Sequence, residues 1–103
     1  MGEVTLGFFR TGRKGPFTGR LVDTTVCVDG TEFDIQAHYG AYCEPRTDEG
    51  PWTAVEVDTT WCVEAFARYL AEGPDEHGHY IYARVPVEIV EAVVAEHGGL
   101  ARP

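Results

Sequence analysis

The chain has 103 residues, 44% of them apolar, and carries 17 acids against eight Lys and Arg for a net charge of −9. That length suits one domain that buries roughly 60–70% of its unfolded surface, and it leaves no room for a second domain of ordinary size. The acid excess sets the chain against direct contact with nucleic acid or an anionic membrane, because its field repels phosphate before contact.

Apolar runs are only a few residues long, well short of the ~20 needed to span a bilayer. No charged region followed by an apolar stretch opens the sequence, and Leu6 stands where a myristoylation signal needs Ser or Thr. These features predict a soluble, cytoplasmic protein. Cys27, Cys43 and Cys62 are odd in number and irregularly spaced, which argues for a reducing compartment and against a disulfide framework. One Lys against seven Arg, with no Asn, points to GC-rich coding. The charge is also unevenly placed. Residues 1–20 hold Arg10, Arg13, Lys14 and Arg20 against Glu3, whereas the rest holds four bases against sixteen acids.

In chain order, Val4–Arg10 reads as a strand through Val4, Leu6, Phe8 and Phe9, with Gly7 as a bulge or close approach. Thr11–Gly19, rich in Gly and basic residues, reads as a solvated hairpin loop. It fails the phosphate-loop pattern, since no Lys-Ser or Lys-Thr follows its glycines. Asp29-Gly30 between two β-branched runs predicts a two-residue hairpin spanning Arg20–Tyr39 with Val28 opposite Thr31. That register puts Val22, Thr24, Val26 and Val28 with Thr31, Phe33, Ile35 and Ala37 on the core face. Leu21, Asp23, Thr25 and Cys27 then share the wet face with Glu32, Asp34, Gln36 and His38.

Gly40–Pro51 shows no periodicity and reads as a long loop, with Tyr42, Cys43, Arg46 and the following Trp52 as residues of interest. Trp52–Val57 resumes a strand. Asp58-Thr59-Thr60 supplies N-cap oxygens for a helix over Trp61–Glu72, with Cys62, Ala65, Phe66, Tyr69 and Leu70 inward and Glu64/Arg68 and Arg68/Glu72 as outer pairs. Gly73-Pro74 stops it. A polar turn, Asp75–Gly78, leads to a strand over His79–Val85. Pro86 then opens a second helix to His97, with Ile89, Val90, Val93 and Val94 inward and Gly98-Gly99 as its stop. The order β-β-β-β-α-β-α predicts an α+β two-layer sandwich: a mainly antiparallel sheet of about five strands with two helices on one face. A right-handed crossover between the strands flanking the first helix would make those two parallel.

The chemistry begins with an exclusion, because a chain without Ser has no serine nucleophile and no Ser-His-Asp triad. Cys62 in a first helical turn could be a thiolate, yet its place on the apolar stripe favours packing. His77 and His79 beside Asp75 and Glu76 are the best metal fragment. No C-x-x-C or H-E-x-x-H accompanies them, so no metal and no cofactor is expected. The arrangement of acid is the positive feature. Asp23, Glu32, Asp34, Glu64, Glu72, Glu88 and Glu91 suggest a surface for a basic protein partner, such as a nucleic-acid-binding protein or a basic toxin. The expected function is therefore a small non-enzymatic interaction protein of inhibitor, immunity or phage accessory type. The alternative is a small enzyme or ligand-binding module sited between Gly40–Pro51 and the His77/His79 turn, drawing on His38, Tyr42, Cys43, Tyr80 and Tyr82. Edge pairing through Val4–Phe9 would add a homodimer to either.

Overall fold

A computed structural model describes residues 21–48 and 50–101, with residues 21–23 described by backbone alone. The expected strand Val4–Arg10, the loop Thr11–Gly19 and the edge Val4–Phe9 lie outside the described residues. Five strands, β1 (Leu21–Val26), β2 (Glu32–Ala37), β3 (Ala54–Thr59), β4 (Leu70–Glu72) and β5 (Tyr80–Pro86), form one sheet in the order β1-β2-β3-β5-β4. Every pairing is antiparallel, so β3 and β5, the two strands expected to run parallel, are antiparallel neighbours, while the short β4 that follows the first helix runs parallel to β3 on the far side of β5. A 3₁₀ helix (Glu64–Tyr69) and helix α1 (Val87–Glu96) complete the α+β sandwich. Phe33 of β2 meets the edge of Phe66, which in turn meets Tyr82 of β5, while Val87, Val90, Val93 and Val94 join the same buried cluster. Among the described residues no helix is long and apolar enough to cross a membrane.

The first hairpin departs from the expected register by one residue. Cys27, not Val28, faces Thr31: the Cys27 amide donates to the Thr31 carbonyl at 2.8 Å, and the Gly30 amide donates to the Cys27 carbonyl at 2.9 Å. A type I′ turn needs positive φ at both central residues, whereas here Gly30 has φ +91° and Asp29 is not in that region. Asp29 instead turns its carboxylate onto the Thr31 amide at 2.9 Å, giving a three-residue loop closed by a glycine bulge. Phe33, Ile35 and Ala37 are buried as expected. The β1 side is inverted: Thr25 and Cys27 are buried, and Val26 and Val28 are 39% and 48% exposed. Asp23 accordingly pairs with Ile35 rather than Gln36. A Cβ at Gly30 would meet nothing within 4 Å. Gly30→Ala is therefore expected to cost about 1 kcal/mol, the backbone penalty alone, measurable as a shift in urea midpoint.

The expected α-helix over Trp61–Glu72 is also corrected. β3 continues through Thr59, Thr59 Oγ1 donates to the Trp61 carbonyl at 2.6 Å, and the helix begins only after Val63, with no side-chain cap. Buried Val63 and Phe66 are three residues apart, the period of a 3₁₀ turn. The Val63 amide donates to the buried Tyr82 hydroxyl at 3.0 Å. Residues 70–72 pair with β5, which takes Leu70 and Glu72 out of any helix. Ala65 is exposed rather than inward, and Leu70 is 42% exposed. Cys62 is exposed and precedes the helix, so neither its packing role nor its place in a first helical turn holds.

The second helix runs close to expectation, from N-cap Pro86, with Ile89 half-buried against the core. Gly98 and Gly99, both at φ +92°, stop it, and the Gly99 amide donates to the Val94 carbonyl at 2.9 Å. The chain then turns back onto the first hairpin. The Val28 amide donates to the Gly99 carbonyl at 2.9 Å, the Ala101 amide donates to the Val26 carbonyl at 2.8 Å, and Leu100 bridges Cys27.

Candidate functional site: an acidic cleft on the open sheet face

One face of the sheet carries the helices; the other carries the acid. Alternation along β3 sends Val55, Val57 and Thr59 inward, so Glu56 and Asp58 share the open face with Glu32, Asp34 and Gln36 of β2. Register then sets a transverse row: Thr24 opposite Asp34, Asp34 opposite Asp58, Asp58 opposite Ile81, and Ile81 opposite Glu72. Directly opposed like charges repel across a strand pair, so the Asp34–Asp58 juxtaposition is unfavourable as it stands. Part of that cost is offset. Thr24 Oγ1 donates to Asp34 Oδ1 at 2.7 Å, and Gln36 Nε2 donates to Asp58 Oδ2 at 3.0 Å.

Asp58 Oδ1 is buried without a donor. Burial, the neighbouring Glu56 carboxylate and the charge of Asp34 together raise the Asp58 carboxyl to about 7. Glu56 is itself buried, and its Oε1 accepts the Tyr42 amide at 3.0 Å. The network continues along β2. Nδ1 of His38 accepts the Gly40 amide at 3.1 Å, which leaves Nε2 as the donor to Gln36 Oε1 at 3.0 Å.

Glu32, Asp34 and Asp58 open onto a cleft of about 360 Å³, closed on its far side by Asp75, His79 and Tyr80, with Thr59 and Thr60 at one end. Asp75 is locked into this position. Its Oδ1 accepts the His77 and His79 amides at 2.8 and 2.9 Å, which holds its carboxyl below the usual range. Among the described residues no Lys or Arg lines the cleft. His79 Nδ1, 3.5 Å from Asp75 Oδ2, is its one ring that can carry positive charge.

Of the seven carboxylates expected to face a partner, Asp23 is described by its backbone alone, and the other six do not form one surface. Glu32, Asp34 and Glu72 lie on the open sheet face, with Glu72 accepting the Tyr42 hydroxyl at 3.0 Å. Glu64, Glu88 and Glu91 belong to the two helices, on the other side of the sheet. Of the residues named for the alternative site, Tyr80 lines the cleft, His38 bonds Gln36, Tyr42 bonds Glu56, and Cys43 and Tyr82 are buried. Cys43 is buried, its Sγ donates to the His38 and Pro45 carbonyls at 3.3 Å each, and burial raises its thiol. Tyr82 is buried, with its hydroxyl on Val63, and stacks on Tyr80 at 6.1 Å. The loop Gly40–Pro51 has structural duties. Arg46 Nε donates to the Tyr39 carbonyl at 2.7 Å, and Trp52 is fully buried with its Nε1 on the Thr47 carbonyl at 3.2 Å.

His77 and His79 lie 6.1 Å apart between ring centroids. Among the described residues no three His, Cys, Asp or Glu side chains come together to hold a metal ion. Asp58 was missed as a site residue because it read as a helix cap, and Asp75 was weighed only as a neighbour of the His77/His79 turn. The alternation Val55, Val57, Thr59 against Glu56, Asp58 was the signal that places Asp58 on the open face. No protein-family model, no curated protein and no solved structure matches this chain.

Proposed function

We propose that this protein is a small non-enzymatic binding module that takes a basic protein partner on its open sheet face, with a cationic side chain entering the cleft between Asp34, Asp58 and Asp75. The observation that supports this most is Asp34 directly opposite Asp58 in a cleft that no Lys or Arg of the described residues lines. A positive group placed there neutralises a repulsion the fold otherwise carries. It also favours the ionised form of Asp58, so binding and loss of the Asp58 proton are linked.

Two outcomes follow for a hexa-lysine peptide titrated into the labelled protein. Binding tightens between pH 6 and pH 8, although the lysine side chains stay fully charged there and the peptide's α-amino group only loses charge, and it weakens steeply with salt. Amide shifts cluster at Glu32, Asp34, Asp58 and Ile81, and the double change Asp34→Asn with Glu32→Gln removes them. Shifts spread over both outer faces in proportion to charge, α1 included, would mean that the acid is a solubility coat, and the proposal would be wrong.

A further inference from the structure

A second hollow, of about 590 Å³, adjoins the acidic cleft and shares Glu32 and Thr60 with it; Trp61, His97, Gly30 and Thr31 complete its walls. Its aromatic wall is held in place from two sides. Trp61 Nε1 donates to the Glu32 carbonyl at 3.2 Å, and its ring meets the His97 ring nearly perpendicular (81°), with centroids 5.8 Å apart. His97 is in turn fixed by Asp29 Oδ2, 2.7 Å from its Nδ1, and by Thr31 Oγ1 at 3.1 Å. The amide and hydroxyl of Thr31, together with His97, hold the exposed Asp29 carboxyl down at about 2, so it stays ionised at neutral pH. The hollow thus offers a half-buried indole, the Glu32 carboxylate and two threonines, and among the described residues no Lys or Arg lines it.

We infer that this hollow is an arginine subsite: the guanidinium of an arginine on the basic partner lies against the Trp61 ring and pairs with the Glu32 carboxylate. The inference rests on the proposed function and deepens it by naming the side chain. A guanidinium is planar, is less strongly hydrated than an ammonium, stacks on an aromatic ring and can bridge a carboxylate with two parallel N–H groups. A lysine ammonium gains the charge attraction of the cleft and far less from the indole. The subsite therefore discriminates between two cations that the acidic cleft treats alike.

The test compares hexa-arginine with hexa-lysine at equal ionic strength, reading affinity and the Trp61 indole N–H resonance, with the buried Trp52 indole as internal control. Hexa-arginine is expected to bind about 2- to 5-fold more tightly, the range of an exposed cation–π contact, and to move the Trp61 signal alone. Trp61→Leu should bring the two peptides to equal affinity without weakening hexa-lysine, whereas Glu32→Gln weakens both. Should Trp61→Leu fail to fold, the wild-type indole decides: a signal unmoved by hexa-arginine overturns the subsite. Equal affinities in the wild type, or an arginine preference that survives Trp61→Leu, also overturn it while the proposed function stands. Absence of hexa-lysine binding at the cleft removes both.

Discussion

Cys27→Lys is expected to destabilise the fold by at least about 3 kcal/mol, whereas Val26→Lys, one residue earlier, should change stability by no more than about 0.5 kcal/mol. Cys27 is 1% exposed and covered by Leu100, so an ammonium there would be desolvated without a partner. Val26 is 39% exposed and pairs with Glu32, which gives a lysine water on one side and a carboxylate across the strand. Urea unfolding of both variants, compared at a common slope, checks the register directly. Equal losses, or a larger loss at Val26, would mean that β1 presents its other face to the core.

The second large effect concerns Asp58, where Asp58→Asn should stabilise the protein at pH 8 and leave it nearly unchanged at pH 4. The sign follows from proton counting. The carboxyl titrates near 7 in the folded chain and near the ordinary aspartate value of 3.8 unfolded. Between those values the folded state holds more protons, so stability falls as pH rises through the window and stays low above it. The full difference between the two values would correspond to ~4 kcal/mol, and the partial exposure of Asp58 reduces the expected gain to about 1–3 kcal/mol. Asparagine keeps an oxygen for Gln36 Nε2 and offers Glu56 a permanent donor. The wild type should therefore lose stability from pH 4 to pH 7 relative to the variant, and parallel pH profiles would show that Asp58 ionises like an ordinary carboxylate.

Both effects lie in parts of the chain where local sequence and tertiary structure disagree. The inward face of β2 was legible because Phe33, Ile35 and Ala37 alternate with polar residues whatever their neighbours do. On β1 the same alternation is ambiguous. Val22, Val26 and Val28 look more apolar than Thr25 and Cys27, and only the conformation of Asp29 decides which set turns inward. That conformation depends on hydrogen bonds to Thr31 and His97, the latter 68 residues away. The helix over residues 61–72 was over-read for a related reason: six residues of it are helical, and the pull of β5 on Leu70–Glu72 is a non-local term. Helix α1, with its proline start, valine stripe and double glycine stop, was legible almost to the residue because every signal there is local.

For the site, Glu32 and Asp34 were recoverable from β2 alone. Their convergence with Asp58 and Asp75 was not, since it needs β3 beside β2 and the Asp75–His79 turn folded over both. The arginine subsite shows the same limit, for its walls come from the first hairpin, the end of β3 and the end of α1.

The return of Gly99–Ala101 onto Val26–Val28 bears on how the chain is made. Backbone groups at the end of β1 find their partners in residues that leave the ribosome roughly seventy positions later, a wide separation for a small domain. Until then this rim of the hairpin, flanked by exposed Val26 and Val28, has no backbone partner among the described residues. A chain cut short before Gly99 would leave the rim in that state permanently, and it should be recovered as aggregate where the full-length chain is recovered as folded protein.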